Sequence, residues 1–355
     1  MNKIKKYLNH IFIDGLSGMA LGLFSTLIIG TILQQVGNLV GGYTGSLIFT
    51  IGKISAAVTC AGIGVGVAYK FKETPLVVIS AAVSGMIGGF ASKILAGTLI
   101  IEGSTIALSG PGEPLGAFIA ALVGIEIAHL FAGKTKLDII LTPIITIGVG
   151  GTCGLLIGPS ISNFMTWIGT VIMLATEQQP FIMGMLVAVI MGMLLTLPIS
   201  SAAIGVILNL NGITAGAAAV GCCCQMVGFA VASYKENKIG GLLAQGVGTS
   251  MLQIPNIIKK PIIWLPSIIA SAILGPISTV VLKMTNNATG SGMGSAGFVG
   301  QLMAYETMST TLSSNMAIIQ ITVMHFILPA IITLTITEYM RKKNWIKFGD
   351  MGLNL

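Results

Sequence analysis

From Leu16 to Tyr339 the chain alternates long apolar stretches with short polar gaps, and nearly every charged residue falls in a gap. The apolar runs are continuous and do not alternate residue by residue, which predicts helices and argues against barrel strands. A hydrocarbon core of about 30 Å takes roughly 20 apolar residues per helix. Spans are therefore expected at 16–36, 47–69, 76–97, 115–132, 139–158, 160–176, 181–199, 214–233, 261–283 and 316–340. The expected fold class is all-α: a polytopic transmembrane helical bundle of about ten spans.

Some segments break this pattern. Residues 98–114, 199–213 and 285–315 are rich in Gly, Ser, Thr and Asn, yet remain semi-apolar. Irregular backbone at membrane depth is tolerated only where protein or an aqueous cavity covers it, so these segments are expected to be re-entrant hairpins or broken helices. The stretch 239–256 reads two ways: as a span it puts Lys259 and Lys260 outside, and as a re-entrant or interfacial segment it keeps them inside. At the start of the chain, Ile4, Tyr7, Leu8, Ile11 and Phe12 repeat at helical spacing between Lys3, Lys6, Asn9 and His10. That predicts a short amphipathic interfacial helix within residues 1–15.

The chain also resembles itself. Gly18-Met19-Ala20-Leu21 recurs as Gly184-Met185-Leu186-Val187, and Val67-Ala68-Tyr69-Lys70 as Val231-Ala232-Ser233-Tyr234-Lys235 at nearly the same separation. Leu156-Ile157-Gly158-Pro159 then matches Ile273-Leu274-Gly275-Pro276 at a shorter one, so the first copy carries an insertion containing Glu102, Glu113 and Glu126. The expected organisation is an interfacial helix (1–15), a first membrane repeat with an extra Glu-containing hairpin segment (16–176), a second repeat (177–340) and a basic cytoplasmic tail (341–355). Transporters built from such repeats hold their solute near the bilayer midplane.

Composition narrows the function. Only 8% of the 355 residues are charged and 54% are hydrophobic, against roughly 25% charged in a soluble domain, which leaves no room for a solvated globular domain. The net charge of +7 is spread over short loops (Lys70 and Lys72, Lys134 and Lys136, Lys235 and Lys238, Lys259 and Lys260) and both ends of the chain. That distribution excludes a nucleic-acid footprint and, by the positive-inside rule, puts these loops and both termini in the cytoplasm. Lys53 and Lys93 fall within apolar stretches and are expected to neutralise Glu102. All five cysteines lie within expected spans, without zinc or redox spacing, and read as packing residues. No metal and no cofactor is expected.

The remaining polar residues are candidates for gripping a hydrophilic solute. Glu113, in Ser109-Gly110-Pro111-Gly112-Glu113-Pro114, sits where two glycines and two prolines forbid a regular helix. A carboxylate on that broken backbone either accepts hydrogen bonds from solute hydroxyls or is an exposed loop carboxylate. Glu126 and His129 lie three residues apart and share a helix face, suited to holding a hydroxyl, relaying a proton or stabilising the bundle. Asn209, Asn211, Asn286 and Asn287 offer the paired donors and acceptors a sugar ring requires, and also favour turns. Gln301 and Glu306 follow the Gly-rich run 290–300 and join the candidate set, whereas His325, alone among apolar residues, reads as a hydrogen-bonded packing histidine.

The Gly-Pro-Gly-Glu-Pro run at 110–114, the duplicated helices, the Gly-rich hairpin at 290–300 and the length resemble the membrane IIC subunits of the bacterial sugar phosphotransferase system. Within them the chain resembles most the branch of the perfringolysin O regulator protein. The resemblance implies that the Glu of a Gly-x-x-Glu-Pro hairpin, here Glu113, binds sugar hydroxyls, with a membrane histidine nearby, for which His129 is the neighbour in sequence. Here the hairpin lies in the first half of the chain, whereas in many IIC subunits it lies in the later half. It further implies a bacterial inner-membrane carrier, possible as a homodimer, that presents sugar inward to separate IIB and IIA proteins for phosphorylation. A proton-coupled transporter of a small organic solute and a membrane sensor acting indirectly on gene expression are the alternatives.

Overall fold

The computed structural model describes residues 7, 9–101, 105–106, 108, 110–134 and 137–353. Lys3, Ile4, Lys5, Lys6, Leu8, Glu102, Ser109 and Lys136 lie outside the described residues. The chain divides into two compact units, Met1–Met165 and Thr166–Asn354.

The fold is all-helical and multi-pass, as the hydropathy pattern predicts. Among the described residues five helices are long and apolar enough to cross a membrane: His10–Val40, Asp138–Thr176, Gly212–Ala232, Pro261–Val281 and Ser314–Lys342. Gly42–Ala57 and Thr59–Lys70 form a pair bent by 54°, and Pro75–Gly89, Pro114–His129 and Pro180–Thr196 are shorter apolar helices.

Several boundaries differ from expectation. Residues 139–158 and 160–176 are not two spans but one helix of 39 residues, which runs through Pro143 and Pro159. A proline removes a single backbone donor, and an apolar helix with good formers on both sides absorbs that loss. At 1.5 Å per residue this helix is about 58 Å long, well beyond one hydrocarbon core. The expected span 47–69 is instead broken at Val58 (φ −93°, ψ 16°). The expected span 76–97 breaks at Phe90 (φ −110°, ψ 11°), after which only Ala91–Leu95 is helical.

Of the expected interfacial segment 1–15, residues 1–6 and 8 lie outside the described residues, and His10–Gly15 run without a break into the next helix. They are the first, π-helical turn of a continuous helix to Val40, because Gly15 keeps helical angles and no capping side chain stops the chain there. The ambiguous stretch 239–256 is no regular span. It comprises the end of Tyr234–Leu243, a π turn at Ala244–Gly248, a 3-10 turn at Ser250–Gln253 and the start of Ile254–Lys259.

In the first unit Thr59–Lys70 is the central helix, packed against Leu16–Leu23, Pro75–Gly89 and Pro114–His129. Glycines bring these helices together backbone to backbone: Gly18 on Gly66 and Gly22 on Gly62 at the central helix, and Gly88 on Gly116 between Pro75–Gly89 and Pro114–His129. Lipid tails are as apolar as leucine, so helices in a bilayer are held by this close approach of small residues more than by the hydrophobic effect. The adjoining hairpin of Ile29–Val40 and Gly42–Ala57 uses the same device. A Cβ on Gly30 would come within 2.7 Å of the Gly52 carbonyl, and one on Gly37 within 2.6 Å of the Gly45 carbonyl.

In the second unit Gly212–Ala232 is buried on nearly every face, enclosed by Pro180–Thr196, Leu265–Pro276 and Leu328–Lys342. A Cβ on Gly192 would meet the Gly221 carbonyl at 2.6 Å, which sets how near two of these helices come. The basic tail is not loose. Ile346 and Met351 are buried, Asn237 Nδ2 and Gln253 Nε2 both donate to the Met351 carbonyl (2.9 and 3.0 Å), and Asn256 Nδ2 donates to that of Gly352 (2.9 Å). Lys260 pairs with Asp350 at 2.6 Å, and Arg341 with Glu236 at 2.7 Å. The tail is thus a strap that supplies partners to the irregular segment 234–260, whose own backbone cannot form a complete helix ladder.

Gly30→Leu should force the hairpin arms apart and lower the thermal midpoint of the detergent-solubilised protein by several degrees, about 1–3 kcal/mol of overpacking. Circular dichroism melting checks this. The strap makes a second, pH-dependent prediction. Partial burial opposes ionisation of Asp350, but hydrogen bonds from Lys260 and the Lys347 N–H, with both lysine charges, outweigh it and hold the carboxyl below the usual carboxylate range. A lowered folded-state pKa stabilises at pH above the unfolded value of about 3.9 and ceases to do so as pH falls through the folded value. Asp350→Asn should therefore speed proteolysis of the tail at pH 7, and the difference from wild type should shrink as pH falls below the unfolded value.

Candidate functional site

In the first unit the backbone is interrupted at Val58, at Phe90 and just before Pro114, and two of these breaks are hydrogen-bonded directly to the Glu113 loop. The Glu113 N–H donates to the Gly89 carbonyl at 2.8 Å, where Pro75–Gly89 ends. The Cys60 thiol, two residues past the Val58 break, donates to the Pro111 carbonyl at 3.0 Å. Gly110 and Gly112 have φ of +78° and +76°, left-handed angles that favour glycine and turn the loop back onto the helices. Glu113 is then the N-cap of Pro114–His129, with Pro114 at the first helical position.

The side chain of Glu113 is half-buried, and its Oε1 accepts from the Leu115 N–H at 3.3 Å. Among the described residues Oε2 has no hydrogen-bond donor. Its carboxyl group is therefore held by one oxygen and open at the other, set on broken backbone among apolar helices. Upstream, Ile100–Ile101 and Thr105–Ile106 pair as a two-residue antiparallel hairpin.

Among the described residues Glu126 and His129 are not joined to each other or to this site. They lie 13 and 16 positions beyond Glu113 along the chain, about 20 and 24 Å along the helix. Glu126 lies 3.4 Å from His10 Nε2 and accepts from Tyr7 Oη at 3.4 Å, while His129 is largely exposed and sits 2.8 Å from Glu73. The shared helix face is real, but each side chain meets a nearer partner from another segment. Lys93 lies over the Phe90 ring (5.5 Å) and Lys53 is exposed, while Glu102, their expected partner, is outside the described residues.

In the second unit the Asn candidates form a backbone junction. Asn211 Nδ2 donates to the Asn209 carbonyl and Oδ1 (2.8 and 2.9 Å), and Gly212 bridges Asn286 by two backbone hydrogen bonds. Asn286, buried, donates to the Gly300 carbonyl (3.0 Å), and Asn287 caps the short helix Ala288–Ser291 by accepting from Gly290 N–H (3.0 Å). These amides are spent largely on shaping the interrupted helices, the turn-forming role open to them from the outset.

Gln301 is buried. Its Nε2 donates to Cys223 Sγ (3.3 Å) and lies 3.0 Å from His325 Nδ1, and its Oε1 is buried with no partner among the described residues. Glu306, five residues on and so about 140° round the same helix, is exposed. The two do not act together. Sequence reasoning missed a second buried polar cluster, in which Trp264 Nε1 donates to Gln225 Oε1 (2.8 Å) and Thr196 meets Ser250 (2.8 Å). A single glutamine in the apolar run 214–233 was its only signal. Among the described residues no three His, Cys, Asp or Glu side chains are grouped as metal ligands.

A search of curated proteins finds no match to the chain. The family model described as "Phosphotransferase system, EIIC" matches residues 13–353. With its membrane-spanning helices, its interrupted hairpins and a match over nearly its whole length, the chain belongs to the EIIC family of the phosphotransferase system, a membrane component of sugar transport.

Proposed function

We propose that the chain is the carrier subunit that binds a sugar, or a similar small polar solute, through Glu113 and moves it inward for phosphorylation by separate IIB and IIA proteins. The observation that carries this reading is the open Oε2 of Glu113. A half-buried carboxylate among apolar helices is costly unless something hydrogen-bonds it, and sugar hydroxyls are donors of the right kind. Family membership supports a sugar as the class of solute and IIB and IIA as the class of partner. In the second unit Gln301, with its unpartnered Oε1 beside His325, replaces His129 as the polar pair of interest, because His129 is exposed and paired with Glu73. The two units, in this reading, are the two membrane repeats.

Glu113→Gln keeps the size and the cap but loses the charge. It should weaken sugar binding at least tenfold, the scale of one charge-assisted hydrogen bond, with normal membrane insertion. Glu126→Gln should leave binding within about twofold, since its site lies roughly 20 Å along the helix. Titration calorimetry, after a thermal-shift panel of free hexoses, pentitols and disaccharides, measures both. Unchanged affinity in Glu113→Gln would remove this role. Uptake in vesicles should require phosphoenolpyruvate and the soluble phosphotransferase proteins; uptake driven by a proton gradient alone points to a secondary transporter instead.

The basic loops support a cytoplasmic location for both termini. A cysteine at Lys134 should resist membrane-impermeant maleimide in intact cells and react in inverted vesicles; labelling from outside reverses this orientation.

A further inference from the structure

The Glu113 loop is fastened at two points, and one of them is a side chain. Pro111 is tied through its carbonyl to the Cys60 thiol at 3.0 Å, and Glu113 through its N–H to the Gly89 carbonyl at 2.8 Å. Between these anchors lies Gly112, whose φ of +76° lets the chain reverse without a side chain. The sulfur occupies the space that glycine leaves. A Cβ on Gly112 would come within 2.5 Å of Cys60 Sγ, and a Cβ on Gly89 would collide with the same atom. Cys60 is fully buried, and Phe90, also buried, closes the other side at 3.1 Å from that Gly112 position.

We propose that Cys60 is a positioning residue for Glu113: its thiol latches the loop Gly110–Glu113 onto the break between Gly42–Ala57 and Thr59–Lys70, and so sets where the carboxylate is presented to solute. This rests on the reading of Glu113 as the solute-binding carboxylate. Two properties suit the thiol to the task. It is small and polarisable enough to fill the gap left by two glycines, and it offers a donor to a carbonyl that, on broken backbone, has no helical partner. Without that donor the Pro111 carbonyl would be free to turn about the two left-handed glycines, leaving the loop ahead of Glu113 held only by the Glu113 N–H to Gly89.

The test compares Cys60→Ala and Cys60→Ser in the full-length protein, using the free sugar that shifts the wild-type melting temperature most in the panel above. Cys60→Ala should weaken binding of that sugar by about tenfold, the scale of one hydrogen bond, and Cys60→Ser, which keeps a donor, should restore most of it. If Cys60→Ala fails to fold, the labelling rate decides. N-ethylmaleimide modification of Cys60, followed by peptide mass spectrometry, should be slow in the wild type, slower still with sugar, and accelerated by Gly112→Ala, which lifts the loop. Wild-type affinity in both cysteine variants, or a labelling rate that neither sugar nor Gly112→Ala alters, overturns the latch. If Glu113→Gln also binds normally, the reading of Glu113 fails; if Glu113→Gln loses binding while the cysteine variants do not, only the latch fails.

Discussion

Close contact between helix backbones, made possible by glycine, is the constraint from which the rest of this structure follows. In hydrocarbon there is little to gain from moving leucine from lipid to protein, so association depends on how near two helix axes can come. Gly18 on Gly66 and Gly22 on Gly62 set that distance in the first unit, and Gly192 on Gly221 in the second. Where the axes are this close, a side chain on either partner enters the other's backbone, so the small residues are positional requirements and the large apolar ones can turn outward. Leu39, Tyr43, Ile51 and Ile54 do so on the hairpin formed by the end of the first helix and Gly42–Ala57.

Close packing also makes broken helices tolerable. An interrupted helix in lipid exposes N–H and C=O groups that need partners, and here those partners come from neighbouring breaks and side chains. The Glu113 N–H uses the end of the preceding helix, the Pro111 carbonyl uses Cys60, and Gly212 and Asn286 satisfy each other. In the second unit the irregular stretch before Lys259 takes its partners from the C-terminal strap through Asn237, Gln253 and Asn256. The interruptions are therefore ordered, and they carry polar groups at defined places. A carboxylate with one oxygen bound and one open is the kind of group such an interruption can present.

The local rules transferred well where one chain segment decides the outcome. Hydropathy located the helices, and the Gly-Pro-Gly-Glu-Pro run marked the break at Glu113, because left-handed glycines and prolines act through their own backbone. Reasoning failed where two segments compete for the same group. Glu126 and His129 share a face by spacing, yet His10, Tyr7 and Glu73 take them separately. Pro159 has the form of a helix stop, yet the helix continues through it. The cluster around Gln225 was not legible because that residue's partners, Thr196 and Trp264, arrive from two distant stretches of chain.

The amino-acid order alone determined the solvent, the helical class and the position of the carboxylate on interrupted backbone, since each depends on apolar length, backbone geometry or charge placement within a single stretch. Only the tertiary structure decided which oxygen of Glu113 is free, that Cys60 holds its loop, that the tail is a strap and that Gln301 meets His325. Those outcomes depend on which segments lie beside one another, and in lipid that is settled by glycine contacts too short and too numerous to be paired from sequence.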